Sequence, residues 1–125
     1  AVARQFARDK PVLVVRNGWF SYRWSQIIET GHLTGAATVM KARQTGNAAP
    51  APFAPAPIED VTATIRAEKP AVVFAPHVET SAGVILPDDY IAAMAAADIS
   101  MTITSTESRL APCCLSGRLL TRLLP

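Results

Sequence analysis

Two short apolar runs constrain what this chain can fold into more than anything else in it. Pro11-Val12-Leu13-Val14-Val15 and Ala71-Val72-Val73-Phe74-Ala75 are of strand length, rich in branched side chains and free of polar alternation. A strand with one wet face alternates polar and apolar residues. An unbroken run instead fits a strand covered on both faces, as in a parallel sheet flanked by helices. A lysine-proline pair precedes each run, and proline disfavours helical backbone in the residue before it. These junctions read as local punctuation and not as an internal repeat. A polar turn follows each run: Arg16-Asn17-Gly18 after the first, His77-Val78-Glu79-Thr80-Ser81-Ala82-Gly83 after the second.

The intervening segments supply helices. Ala1 to Arg8 reads as the last turns of one, with Val2 and Phe6 on one face. From Trp19, the spacing of Trp24, Ile27 and Ile28 predicts an amphipathic helix closed by Gly31 as C-cap, followed by a strand over Ala36–Met40. Ile58, Val61 and Ile65 share a face of a helix over Ile58–Lys69, with Glu59 and Asp60 well placed in its first turn. Asp88-Asp89 are expected to cap a last helix over Tyr90–Ala97. Alternating strands and helices predict an α/β fold with right-handed crossovers. Gln44–Pro57 differs: it holds four of the ten prolines and no apolar period. It reads as an extended surface loop, an inert connector or, alternatively, a proline-rich contact surface. Ile99–Thr104 reads as a short alternating strand. Ser105–Arg109 and Cys113–Pro125 have no coherent period, so residues 1–97 form one unit and 98–125 a divergent tail expected to lack stable order.

At 125 residues the chain is long enough for one core, and its 50% apolar and 18% charged composition is that of a globular protein. A net charge of +2 is too small for a dedicated nucleic-acid face. No run approaches the ~20 apolar residues of a membrane span, and no signal-peptide pattern opens the chain. It begins Ala-Val-Ala-Arg without methionine, as expected if an upstream portion is missing. Cys113 and Cys114 are adjacent, which suits neither a disulfide framework nor a zinc knuckle; a reducing, cytoplasmic setting is expected.

Signatures of nucleotide loops, nucleophile elbows and zinc helices are absent, and His32 and His77 are not at ligand spacing. Two strand-end loops remain as candidate sites, because open α/β sheets bind ligands at the carboxyl ends of their strands. Asn17-Gly18-Trp19-Phe20-Ser21 sets two aromatics beside a glycine, suited to stacking on a planar ligand, although at least one of Trp19 and Phe20 is expected in the core. In His77–Gly83, the hydroxyls of Thr80 and Ser81 and the following N–H groups could hold a polar ring substituent or a carboxylate. The alternative there is a simple helix-capping turn.

Together these loops resemble the class V aminotransferases, the fold-type I pyridoxal-phosphate enzymes that include alanine–glyoxylate, serine–glyoxylate and serine–pyruvate transaminases. The resemblance rests on Asn17-Gly18-Trp19-Phe20-Ser21-Tyr22-Arg23-Trp24 and His77-Val78-Glu79-Thr80-Ser81-Ala82-Gly83, and covers roughly Ala1 to Ala97. It implies part of the mainly parallel large domain of such a transferase. It also implies pyridoxal 5'-phosphate as cofactor, Phe20 stacking on the pyridine ring and Thr80 beside its phenolic oxygen, with His77 and Glu79 holding the turn. Substrates would be a small amino acid (alanine or serine) and a 2-oxo acid (glyoxylate or pyruvate), in a homodimer.

The departures are as informative. In the family, a strand ending in the aspartate that pairs with the pyridinium nitrogen follows, and then the Schiff-base lysine. Asp98–Pro125 resembles neither, and no lysine follows Lys69. Transamination needs both an amine to carry the reacting group and a carboxylate to keep the ring protonated. The resemblance therefore implies a truncated or frame-altered piece, inactive alone. The competing expectation is a small non-catalytic α/β interaction module that uses the proline-alanine loop.

Overall fold

The structure, a computed structural model, describes residues 2–47, 49–97, 101–105, 113–115 and 118–120. In chain order its elements are α1 (Val2–Ala7), β1 (Val12–Arg16), α2 (Trp19–Thr30), β2 (Ala37–Lys41), β3 (Arg43–Gln44), β4 (Phe53–Ala54), α3 (Ile58–Glu68), β5 (Val72–Pro76), β6 (Val78–Glu79), β7 (Val84–Ile85), α4 (Asp88–Ala96), β8 (Met101–Ser105), β9 (Cys113–Leu115) and β10 (Arg118–Leu120). The fold is α/β, as the two apolar runs predict. β1 lies between β2 and β5 and runs parallel to both, and β8 adds a further parallel strand beside β5.

The unbroken runs are apolar because each covers two cores. Val12, Val14, Val72 and Phe74 pack with Ala3, Ala7, Ile28 and Leu33 beneath α1 and α2. Leu13, Val15, Val73 and Ala75 pack with Val61, Ile65, Tyr90 and Met94 beneath α3 and α4. Successive side chains point to opposite faces, so alternate members of each run serve opposite layers. Full burial of a valine, leucine or phenylalanine stabilises by about 1.5–3 kcal/mol, and these eight positions are the centre of the molecule. Trp24 reaches down from α2 onto Phe74, with ring centroids 5.5 Å apart.

Several expectations need adjustment. α2 does end at Gly31, but the left-handed residue that completes the stop is His32, at φ 45°. The N–H of Leu33 bonds Ile28 O at 3.0 Å and that of His32 bonds Glu29 O at 3.1 Å, a Schellman closure sealed by buried Leu33 and Ile28. Gly31 is needed for room, since a Cβ there would lie 2.6 Å from Ile27 O. α4 starts at Asp88, so both aspartates lie inside its first turn and Pro87 is the N-cap residue. Only Asp89 bonds a main-chain N–H, that of Tyr90, at 2.8 Å. The Gln44–Pro57 segment is not wholly irregular: β3 and β4 pair antiparallel at either end of it. Two residues per strand leave no period to read in sequence.

In the tail, β8 occupies the place expected of the alternating strand, and β9 and β10 pair antiparallel outside it. Those short strands had no local signature, because a neighbouring strand edge sets their pairing. Much of the expected divergent tail, including residues 98–100, 106–112 and 121–125, lies outside the described residues, as do the side chains of Cys113 and Cys114. Among the described residues no helix is long and apolar enough to cross a membrane.

Candidate functional site

The chain leaves β1 through α2 on one face of the sheet and leaves β5 toward α4 on the other. Two adjacent parallel strands whose outgoing connections diverge in this way open a crevice at their carboxyl ends, the usual ligand position in such sheets. The two loops singled out in the sequence stand at this carboxyl edge and touch each other there. The second is a hairpin rather than a simple turn: β6 pairs with β7, and residues 80–83 form its tip, with Gly83 at φ 65°.

One side chain joins the two loops. Glu79, on β6, is completely buried. Its Oε1 accepts the N–H of Phe20 at 3.1 Å, and its Oε2 accepts the N–H of Ser21 at 2.9 Å and the Ser21 hydroxyl at 2.6 Å. The Ser81 hydroxyl donates to Oε1 and accepts the N–H of Trp19 at 2.9 Å. The start of α2 has no acidic residue of its own and its N-cap, Gly18, has no side chain to offer. An incoming carboxylate therefore meets both the unpaired N–H groups and the positive end of the helix dipole. Burial would push the Glu79 carboxyl up, but the bonds from Ser21, Ser81 and Phe20 outweigh it and hold the group below its ordinary 4.5.

This closeness demands the glycine. A Cβ on Gly18 would lie 2.6 Å from Ser81 Oγ and 2.7 Å from Glu79 Cγ. The backbone there is extended, so the requirement is space and not a left-handed angle. Ser21 completes the corner, its hydroxyl accepting the N–H groups of Asn17 at 2.9 Å and Gly18 at 3.0 Å.

Of the sequence-predicted residues, Phe20 is 46% exposed and follows Trp19, which is 57% exposed, so neither is the core residue expected of the pair. The reason is local: the buried face of α2 is taken by Ser21, Ser25 and Ile28. Trp19 lies against Tyr22, whose ring also carries the Arg16 guanidinium 5.1 Å from its centroid. Thr80 is exposed at the hairpin tip, and its hydroxyl has no partner among the described residues. Ser81, by contrast, is committed to Trp19 and Glu79 and is not free for a ligand. His77 accepts the N–H of Leu86 at 2.9 Å through its carbonyl and stands 3.9 Å from Asp88, so it ties the hairpin to α4.

The sequence reading named two residues without their roles. Glu79 bridges to another loop instead of holding only its own turn. A helix start with glycine in the cap position and no acid in its first turn was the available signal that a remote acceptor was needed. Asn17, the first residue of the glycine turn after β1, is 3% exposed with neither side-chain amide atom hydrogen-bonded, and nothing in the sequence marked that burial. Among the described residues no cluster of histidine, cysteine or acidic side chains could hold a metal ion.

No known family profile matches the chain, and no curated protein matches it. Among solved structures, the crystal structure of ureidoglycine-glyoxylate aminotransferase from Bacillus subtilis is similar, with a TM-score of 0.61 and 24% identity. The match covers 82% of this chain and 24% of that one, so this chain spans about a quarter of that enzyme's length. At this identity the likeness concerns the fold: a mainly parallel α/β unit of the kind found in that aminotransferase.

Proposed function

We propose that this chain is a piece of the large domain of a pyridoxal-phosphate aminotransferase of the class V type. In the intact enzyme it would serve amino transfer from a small amino acid, alanine or serine, to a 2-oxo acid such as glyoxylate or pyruvate. The observation that carries the reading is the Glu79 tie, which holds the Phe20 and Thr80 loops together at the carboxyl ends of β1 and β5. A fold shared with an enzyme whose name includes glyoxylate supports it.

The residues present fit one part of the cofactor. Phe20 offers a half-exposed ring for stacking, and Thr80 an uncommitted hydroxyl for the phenolic oxygen. The orphaned amide of Asn17 marks the same corner as one with unused hydrogen-bonding capacity. The N–H groups at the start of α2 do not fit the phosphate, because Glu79 and Ser81 already occupy them. When bound, the cofactor supplies an electron sink for bonds at the substrate's α-carbon. This chain's own part is to orient the ring. Lys10 and Lys69 precede β1 and β5 at the opposite edge of the sheet, and Lys41 ends the outer strand β2, so none sits in the crevice loops. In the intact protein we propose a homodimer.

The test is equilibrium binding of pyridoxal phosphate to the chain, followed by mass spectrometry after borohydride reduction. Reversible binding weakened by Phe20→Ala and Thr80→Ala, without covalent attachment, is expected. No binding at all would overturn the reading in favour of a non-catalytic interaction module.

A further inference from the structure

We propose that Glu79 is a positioning residue for the cofactor ring: it fixes the main chain of Phe20, and so the stacking plane, against the hydroxyl of Thr80. The inference rests on the pyridoxal-phosphate reading above. The two amides that Glu79 holds, Phe20 N at 3.1 Å and Ser21 N at 2.9 Å, bracket the residue whose ring is half exposed. Glu79 is also the immediate chain neighbour of Thr80. Its carbonyl accepts the N–H of Ala82 at 3.2 Å, closing the tip on which Thr80 stands. A single side chain and its own backbone therefore set both contacts.

The carboxylate has no capacity left for a ligand. Each oxygen accepts two bonds, from Phe20 and Ser81 on one and from the N–H and hydroxyl of Ser21 on the other, which fills its acceptor sites. Its ionisation answers to burial and these bonds, with no charged side chain taking part. Its action on a bound ring is indirect, as a supporting residue that locks the rotamers and backbone of a contacting one. Glutamine has the same shape but presents an NH2 group to main-chain N–H donors, so Glu79→Gln breaks the arrangement with little change in volume.

The test uses the 125-residue chain and pyridoxal phosphate itself. Quenching of tryptophan emission reports binding, and the induced circular dichroism of the achiral cofactor reports whether its ring is held in one orientation. Glu79→Gln is expected to weaken binding about tenfold and abolish the dichroism per bound cofactor while the far-ultraviolet spectrum persists. Glu79→Asp keeps the charge but falls a methylene short of the two amides. It is expected to bind with reduced dichroism, and it decides the matter if the glutamine variant does not fold. Wild-type binding with unchanged dichroism per bound cofactor in the variants, whatever their affinity, would overturn the positioning role alone. A wild-type chain that binds nothing would overturn the cofactor reading and this assignment with it.

Discussion

The start of α2 and the starts of α3 and α4 lie along the same edge of the sheet and share one electrostatic problem, yet they solve it differently. α3 and α4 follow prolines and carry their own acids in the first turn, Glu59 and Asp60 in one, Asp88 and Asp89 in the other. α2 has no acid in its first turn and borrows Glu79 from a strand 58 residues away, counted from Ser21. A local acid stays in contact with water, and where it pairs, as Asp60 does with Arg43 at 2.6 Å, it does so on the surface. A borrowed, buried carboxylate pins one loop to another, so the same capping chemistry becomes a tertiary bond.

The contrast breaks most visibly at Glu79. Glu79→Ala leaves buried N–H donors without acceptors and is expected to cost about 3 kcal/mol in denaturant unfolding, whereas Asp88→Ala should cost no more than about 1 kcal/mol. Equal midpoints for the two variants would dissolve the distinction. The acid limb follows from the same group. Its folded-state value lies below 4.5, so its stabilisation is complete above that pH and is lost as pH falls through the lowered value. Melting curves across this range should show a loss in the wild type that Glu79→Gln lacks.

Gly18→Ala comes next, at about 2 kcal/mol, because its methyl group must displace the buried Glu79 side chain or Ser81. Gly35 makes a fair control, since nothing lies within 4 Å of a Cβ placed there. If Gly18→Ala and Gly35→Ala melt alike, the loops do not approach each other as closely as described.

Why the sequence showed one of these solutions and hid the other is a matter of range. Pro11–Val15 and Ala71–Ala75 announced doubly covered strands because alternate residues meet different cores, and every position must then be apolar. Acids in the first turns of α3 and α4 were legible because cap and helix are contiguous. The Glu79 tie was not, since its residue type is ordinarily exposed and its partners are main-chain groups that every residue possesses. The burial of Asn17 was illegible for a related reason: burial of a polar group is decided by what packs over it. The exposure of Trp19 and Phe20 likewise depended on which stripe of α2 faced the sheet, and two small serines took the place that size alone assigned to the aromatics.

The smallest expected effect concerns the opposite corner and has the opposite pH sign. Tyr90, in the first turn of α4, donates its hydroxyl to Ala56 O at 2.8 Å, which ties α4 to the segment leading into α3. Burial first, and the Glu59 charge second, push its phenol up to about 12 from an ordinary 10.0. The unfolded chain thus releases this proton at lower pH than the folded one. The stabilisation is complete below pH 10.0 and is lost as pH rises toward about 12. Tyr90→Phe keeps the ring and removes one hydrogen bond, so a cost of about 1 kcal/mol is expected near neutrality. The variant should also lose this residue's share of the alkaline decline in thermal melts. Acid would then loosen the α2 corner through Glu79 and alkali the α3–α4 corner through Tyr90. A Tyr90→Phe melt with the wild type's full alkaline slope would show that the second corner is not held in this way.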